Sequence, residues 1–230
     1  MPVGVASGPS VWRPVPEHPL RSVLRQVTRT CCPNRVNFHC HTTCSDGSLS
    51  PQELASQAQQ MGLEHLAITD HHSVEAHALV EAAFHAATVG GEPVPRLWRG
   101  VEISCLLEGC LVHVLALGFG EEHPSLLPYL QGRSVVGPGL QAGAVLEAGR
   151  QAGALILLAH PARYRLPYQR LIAAAHRLGF DGAEAWYDYG QQPCWAPTPL
   201  VCEAIAADHL QRDLLLSCGT DTHGLALNGR

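Results

Sequence analysis

The sequence predicts an α/β fold in which parallel strands are covered by helices, arranged as a small barrel. Short apolar or β-rich runs recur along the chain, and Ala-, Leu- and Gln-rich stretches with helical periodicity separate most of them. The runs span 35–38, 65–69, 97–101, 111–117, 154–159, 181–186 and 214–219. Alternation of this kind is typical of parallel sheets with covering helices. Seven strands in one short domain fit a small barrel better than a wide open sheet.

Two of the intervening helices have a recognisable start. Ser50, Pro51 and Glu53 combine an N-cap hydroxyl, a proline at the first helical position and a carboxylate three residues after the cap. This is the pattern of a capping box with proline at the first position. Ser73 and Glu75 open a second, Ala-rich helix in the same region of the chain.

The composition limits the class of protein. Hydrophobic residues make up 46% of the 230 residues, which supports a sizeable core and excludes global disorder. All 15 basic side chains are Arg and none is Lys, so mechanisms that need a Schiff-base lysine or a P-loop lysine are excluded. The net charge of −5 disfavours a protein that coats nucleic acid, although it permits one phosphate in a pocket.

Cysteine usage and the lack of long apolar runs predict a cytoplasmic protein. The nine Cys are an odd number without a C-x-x-C pair, which indicates reduced thiols. The first residues do not have the form of a signal peptide. The longest apolar stretch, 154–159, is too short to span a bilayer. We therefore expect no membrane association.

Residues 1–34 are expected to form an N-terminal extension to a domain over 35–230. The segment is Pro-rich at first, and Arg21, Arg25 and Arg29 then follow at intervals of four residues. A helix there would carry a basic stripe. That stripe is either a solvated helix face or a surface that contacts phosphate.

Residues with metal-binding side chains follow the predicted strands. His39 and His41 lie two apart on the first strand, so they share a face and can bind one metal ion together. Six of the strands carry His, Asp or Glu at or near their C-terminal ends. Beyond the first pair, these residues are Asp46, Asp70, His71, His72, Glu102, His113, His160, Asp221 and His223.

The placement of these residues predicts a multinuclear metal site. The C-terminal ends of parallel strands meet on one face, where ligands bind and catalysis occurs. Purely structural roles for so many polar groups would leave them facing one another without compensation. The remaining histidines of the 14 are expected to be superficial.

These motifs resemble the signature of the PHP family, named after polymerase and histidinol phosphatase. The resemblance extends over residues 35–224 and implies a distorted (β/α)7 barrel. It also implies a trinuclear site that cleaves phosphoesters through a metal-bridged hydroxide. The motifs that carry it are His39-x-His41, Ser45-Asp46-Gly47, Thr69-Asp70-His71, Glu102, His113, Ala159-His160-Pro161 and Asp221-x-His223.

The resemblance also implies which residues bind each ion. His39, His41, Glu102 and Asp221 would bind the first ion. Glu102 would bridge to a second ion, completed by His113 and His160, and Asp46, His71 and His223 would bind the third. Imidazole and carboxylate donors suit Mn, Fe and Zn, with Mg also compatible. We expect two to three divalent ions.

Four further residues are candidates for supporting roles. Arg163 follows the fifth strand and either binds a substrate phosphate with its bidentate guanidinium or forms a surface ion pair. Asp70 is expected to orient a ligand or contact the third ion, and Glu184 is a candidate to face the site. His72 stands where the family commonly has Asp.

The leading interpretation is a phosphoesterase for a small phosphate monoester, such as a nucleotide. The alternatives are an exonuclease or RNA-end-trimming nuclease, and a non-catalytic metal-binding module. The net negative charge disfavours a binding surface for a long stretch of nucleic acid. His113 and His160 are only 47 positions apart, which leaves room for a loop and one helix. Nucleotide-dephosphorylating relatives have a substantial helical insertion there, so we expect a more open site.

Overall fold

The structure is a computed structural model that describes residues 17–120, 123–192 and 194–229. Its strands are β1 Val36–Asn37, β2 His65–Ile68, β3 Arg96–Leu107, β4 Cys110–Leu117, β5 Leu155–Leu158, β6 Gly182–Trp186 and β7 Leu215–Cys218. Its α-helices are α1 Pro19–Leu24, α2 Pro51–Gln60, α3 Glu75–Val89, α4 Ala142–Gln151, α5 Tyr168–Leu178 and α6 Val201–Gln211. The predicted α/β fold is confirmed.

The seven strands form one sheet in chain order. β1, β2 and β3 are parallel to one another, as are β5, β6 and β7, but β4 is antiparallel to both of its neighbours. The expectation of parallel strands throughout is therefore wrong for β4. The reason is a two-residue turn at Glu108 and Gly109, both with positive φ, which suits a tight hairpin. β3 also continues through Leu107 rather than ending at 101.

Backbone hydrogen bonds between β1 and β7 nearly close the sheet into a barrel. The Phe38 N–H donates to the Cys218 carbonyl at 3.1 Å, and the Asp221 N–H donates to the His39 carbonyl at 2.8 Å. Gly219 lies between these two contacts. A Cβ at this position would come within 2.2 Å of the His39 Cβ, so only glycine permits this close approach of the two chain segments.

The buried Asn37 side chain reinforces this closure. Its Oδ1 accepts hydrogen bonds from the backbone N–H groups of His39 and Thr220, and its Nδ2 donates to the Thr220 hydroxyl. One amide thus links the end of β1 to the loop after β7. The segments that carry His39 and Asp221 are therefore held side by side.

The helix start at Ser50 is confirmed. The Ser50 hydroxyl accepts from the Glu53 N–H, the Glu53 carboxylate accepts from the Ser50 N–H, and Pro51 occupies the first turn of α2. The second helix, α3, starts at Glu75, whose N–H donates to the Ser73 hydroxyl. Both helices pack against a second apolar cluster beside β2.

The described part of the N-terminal segment packs onto the barrel. Leu20 and Leu24 of α1 are fully buried in the main core. The predicted basic stripe is not a continuous helix face, because α1 ends at Leu24. Arg21 pairs with Asp181, Arg25 with Glu17 and Arg29 with Glu203. The Pro-rich start of the chain lies outside the described residues, and the boundary at residue 34 stays a prediction.

The connection between β4 and β5 is short. Where the structure describes it, it consists of a loop with two 3-10 helices, Leu127–Tyr129 and Gly137–Leu140, followed by α4. This agrees with the loop and single helix expected from the spacing of His113 and His160. Among the described helices, none combines the length and apolar character that crossing a membrane requires.

Candidate metal centre

The predicted metal-binding residues converge at one end of the barrel. All of the nine predicted ligands except the buried His39 and His41 line a cavity of about 710 Å3 whose wall also includes Arg163, Gln191 and Gln192. His39 and His41 directly follow β1, and Glu102 lies on β3. His160 and Asp221 have positive φ angles of 26° and 50°, a strained conformation for residues other than glycine that is found mostly at functional sites.

Glu102 occupies the centre of the site and is almost fully buried. Its Oε2 lies 3.0 Å from His39 Nε2 and 3.1 Å from His41 Nε2. Its Oε1 lies 2.9 Å from His113 Nδ1 and 3.1 Å from His160 Nε2. Each carboxylate oxygen therefore faces two imidazoles, which is the arrangement needed to bridge two cations.

Asp221 completes the inner group of side chains. Its Oδ1 lies 3.3 Å from His39 Nε2 and 3.1 Å from His41 Nε2. Its Oδ2 accepts hydrogen bonds from the Tyr187 hydroxyl and from Arg163 Nη1. The hydrogen bonds to Oδ2 thus orient the carboxylate so that Oδ1 faces the imidazoles of His39 and His41.

Asp46 is the centre of an outer group nearer to solvent. Its Oδ2 lies 3.2 Å from His223 Nε2 and 3.7 Å from His71 Nε2, and its Oδ1 lies 3.5 Å from His41 Nδ1. The Asp46 side chain is about half exposed, at 54%. This group can bind a cation that remains open to the cavity.

The side chains fall into three groups whose donor atoms lie within 4.8 Å of one another. The groups are His39, His41, Glu102 and Asp221; His41, Asp46, His71 and His223; and His71, Glu102 and His113. The first group is the set expected for the first ion, and the second contains the set expected for the third. The remaining group contains His71 in addition to Glu102 and His113. His160, which is expected to bind the second ion, is outside this group but contacts Glu102 through Nε2.

His41 provides the test of whether these residues fit a metal. Its ring is buried, and neither ring nitrogen makes a hydrogen bond. The Glu102 and Asp221 oxygens lie close to Nε2 but off the direction of a hydrogen bond. A buried imidazole nitrogen without a hydrogen bond is costly unless another partner satisfies it, and a cation between these donors would do so. The residues therefore fit divalent ions.

The buried charges shift one another's pKa values. Burial opposes ionisation of Glu102, but the surrounding imidazoles outweigh it and hold its pKa well below the usual range. Burial also opposes protonation of His41, but the Asp221 and Glu102 carboxylates outweigh it and raise the pKa of His41 to about 9. At His71 burial prevails, so its pKa falls to about 4 and its imidazole is neutral.

Asp70 supports the turn that carries Asp46. Its Oδ1 accepts from the Thr42 N–H at 2.7 Å and from the Ser45 hydroxyl at 2.6 Å, and its Oδ2 accepts from the Thr42 hydroxyl at 2.7 Å. These bonds place Asp70 behind the turn. Two roles are expected for Asp70, and these hydrogen bonds fit the one in which it orients a candidate ligand, here Asp46.

His72 is buried beside the site, and its ring nitrogens contact the neighbouring chain. The Nδ1 lies 3.2 Å from the Tyr129 carbonyl, and the Nε2 accepts from the Ser104 N–H and lies 3.1 Å from the Ser134 hydroxyl. Both nitrogens are thus engaged in joining β3 to the loop that precedes α4. His72 serves this connection and belongs to none of the three groups of candidate ligands.

The sequence reasoning missed the tyrosines around the site. The Tyr187 hydroxyl orients Asp221, and the Tyr164 hydroxyl accepts from the His113 N–H at 2.7 Å. Tyr187 ranks among the largest fully buried side chains. It follows directly after β6, and that position at a strand end is the signal that could have identified it.

The expectation that the other histidines are superficial is wrong for His209. This residue of α6 is fully buried, and its Nδ1 lies 2.8 Å from the Ile205 carbonyl one turn earlier. Nδ1 is thus satisfied within its own helix, whereas Nε2 is buried without a hydrogen bond. His85 is exposed on α3, as expected.

Comparisons with known proteins agree with this geometry. A family model described as the PHP domain matches residues 37–223. The chain is 38% identical over 102 residues to a 5'-3' exoribonuclease of Haemophilus influenzae, covering 44% of this chain and 35% of that protein. It is 36% identical over 91 residues to a 3',5'-nucleoside bisphosphate phosphatase of Chromobacterium violaceum, covering 40% and 30%. The matches thus span about a third of the curated relatives' length.

Two solved structures share the fold. An amidohydrolase from Chromobacterium violaceum with bound sulfate superposes with a TM-score of 0.67 at 21% identity, covering 83% of this chain and 88% of that one. A protein from Bifidobacterium adolescentis described as a metal-dependent phosphoesterase superposes with a TM-score of 0.64 at 21% identity, covering 86% and 90%. At this identity the likeness concerns the fold alone, and it confirms the barrel.

The pKa of His41 predicts how the effect of added Zn2+ on thermal stability depends on pH. Because that pKa is raised, protonated His41 stabilises the metal-free fold. This contribution is complete below pH 6.5, the ordinary pKa of histidine, and is lost as the pH rises through about 9. Metal ligands must be deprotonated. The melting temperature with Zn2+ minus that with chelator should therefore increase over this range. The variant His85→Gln should behave like the wild type, and a pH-independent difference would contradict the prediction.

Proposed function

This chain belongs to the PHP family, and we propose that it is a metal-dependent phosphoesterase that hydrolyses a small phosphate monoester, such as a nucleotide. The observation that carries the proposal is the buried Glu102 carboxylate, each of whose oxygens faces two imidazoles. A carboxylate in this setting is suited to two cations that clamp one phosphoryl group. The exoribonuclease and phosphatase names of the relatives agree with phosphoester chemistry.

We propose two to three divalent ions, held as the family resemblance implies. The first ion would be bound by His39, His41, Glu102 and Asp221, the second by Glu102, His113 and His160, and the third by Asp46, His71 and His223. The distances within the first and outer groups support this assignment. Because the donors are imidazoles and carboxylates, Mn, Fe and Zn are the suitable metals, with Mg also compatible. Bound ions supply Lewis-acid charge and a nucleophile derived from water.

Arg163 is proposed to bind the substrate phosphate. Its side chain is 39% exposed and is the one cation among the cavity-lining residues that the structure describes. Its Nη1 already contacts Asp221 and Tyr187, which holds the guanidinium at the edge of the inner group. The remaining guanidinium donors can form charge-assisted hydrogen bonds to a phosphate oxygen.

The cavity supports a small substrate whose leaving group lies toward Gln191 and Gln192. These two amides line the cavity together with Arg163. Buried Asp188 shapes their turn, because its carboxylate accepts from the N–H groups of Gly190 and Gln192. Amide groups can bind sugar hydroxyls or the edges of bases without requiring charge. A volume of about 710 Å3 is within the range typical of small-molecule sites.

An exonuclease that trims RNA ends is the second candidate. The 38% identity to the exoribonuclease of Haemophilus influenzae favours it, as does the openness expected from the short connection between β4 and β5. The basic stripe gives it little support, because Arg21, Arg25 and Arg29 each pair with a carboxylate. Asp181, the partner of Arg21, precedes β6 and so lies at the opposite end of the barrel from the site.

Replacing a central ligand should abolish phosphoester hydrolysis. His39→Ala and Asp221→Ala each remove a donor from the innermost group, so we expect at least a 100-fold loss of kcat/KM with the fold retained. The assay uses sugar phosphates, mononucleotides, nucleoside bisphosphates and short oligonucleotides with Mn2+, Zn2+ or Mg2+, and His85→Ala is the exposed-histidine control. Activity of either variant at the wild-type level would contradict the proposed site.

The same panel separates the two candidate functions. Preference for mononucleotides with little salt dependence would support the phosphatase. Preference for oligonucleotides with a steep fall in affinity as salt increases would support the nuclease, because salt competes with contacts to many phosphates.

Replacing Arg163 should distinguish two phosphate positions. If the guanidinium binds a phosphate remote from the reaction, Arg163→Ala should raise KM about tenfold or more with little change in kcat; contact with the reacting phosphate would instead lower kcat. Arg165→Ala is the matched control, because Arg165 contacts the Gly109 carbonyl at the hairpin turn and does not line the cavity. Unchanged kcat and KM in Arg163→Ala would exclude both roles.

A further inference from the structure

A second buried carboxylate, Glu184 on β6, lies directly behind the candidate ligands. Both of its oxygens lie 3.0 Å from His39 Nδ1, and Oε2 also accepts from the His160 N–H at 2.8 Å. Its side chain is fully buried. One carboxylate thus contacts two residues of the candidate site that follow different strands, β1 and β5.

We propose that Glu184 is a positioning residue that determines metal affinity by fixing the tautomer of His39 and the backbone of His160. The inference rests on the proposed function, since it concerns the same metal site. An ionised carboxylate only accepts hydrogen bonds, so the ring nitrogen that faces it carries the proton. With a cation bound, the lone pair of His39 would then be on Nε2, the nitrogen that lies 3.0 Å from a Glu102 oxygen and 3.3 Å from an Asp221 oxygen.

Carboxylates that orient metal-binding histidines in this way stabilise the bound ion. They fix the ring orientation and increase the basicity of the ligating nitrogen. Glu184 has an additional role here, because His160 has a positive φ of 26°. The His160 N–H donates to Glu184. This bond helps to hold the His160 backbone in its strained conformation and so directs the His160 imidazole toward Glu102.

Glutamine at position 184 weakens this arrangement. If the amide oxygen takes the place of Oε2, it can still accept from both the His39 Nδ1–H and the His160 N–H. The amide NH2 then takes the place of Oε1, which also lies 3.0 Å from Nδ1, so two donors face each other there. In the other orientation the NH2 group faces the His160 N–H. Both orientations lose the negative charge that increases the basicity of the ligating Nε2.

The experiment compares Zn2+ affinity by competition with a chromophoric chelator in the wild type, Glu184→Gln and Ser217→Ala. Ser217 is the control because it pairs with Glu184 across β6 and β7 and is equally buried, but its hydroxyl makes no hydrogen bond. We expect Glu184→Gln to bind Zn2+ about 10- to 100-fold more weakly and Ser217→Ala to match the wild type. Equal affinity of wild type and Glu184→Gln would overturn the inference.

A second measurement does not depend on the folding of the variant. Histidine 15N NMR of the Zn2+-loaded wild type should show His39 with its proton on Nδ1 and the metal on Nε2. The opposite arrangement would overturn the inference even if Glu184→Gln fails to fold. A wild-type protein that binds no Zn2+ would instead contradict the proposed metal site, so the two failures are distinguishable.

Discussion

The site is organised around one buried negative charge, the carboxylate of Glu102. A carboxylate removed from water is costly unless cations or hydrogen-bond donors surround it. Four imidazoles lie within about 3 Å of its two oxygens. Without metal ions His39 and His41 compensate the charge by holding protons, as their raised pKa values indicate. Divalent cations would replace those protons, so the same interaction couples fold stability to metal binding.

The fold satisfies this constraint by bringing β1 and β7 together. The Asn37 amide and the close approach at Gly219 hold His39 beside Asp221. Outside the inner group, other polar side chains keep the donors in place. Asp70 fixes the turn that carries Asp46, and Tyr187 orients Asp221. The site is therefore supported by buried hydrogen bonds at the ends of several strands.

The convergence of the candidate ligands could be predicted from the sequence because they lie in short local motifs. Strand periodicity places His39 and His41 on one face, and parallel strand ends converge in any α/β barrel. The antiparallel direction of β4 was not predicted, because apolar residues flank Glu108 and Gly109 on both sides and obscure the hairpin turn in the sequence. His113 still lies beside Glu102, because the hairpin pairs β4 with β3 in antiparallel orientation.

Contacts across the barrel could not be predicted from the sequence. The bond between Tyr187 and Asp221 joins residues 34 positions apart, and that between Glu184 and His39 joins residues 145 positions apart. Such pairings depend on which side chains the closed sheet turns inward. A sequence pattern records periodicity along one strand and contains no information about distances between strands. This is why Glu184 could be only a candidate until its contacts were known.

Anomalous scattering from crystals of the protein loaded with Zn2+ or Mn2+ would show directly whether Glu102 bridges two cations. We predict two anomalous peaks, one beside each carboxylate oxygen of Glu102, with the first also contacting His39 and Asp221. A metal-loaded, folded protein with no anomalous peak beside Glu102 would contradict the account.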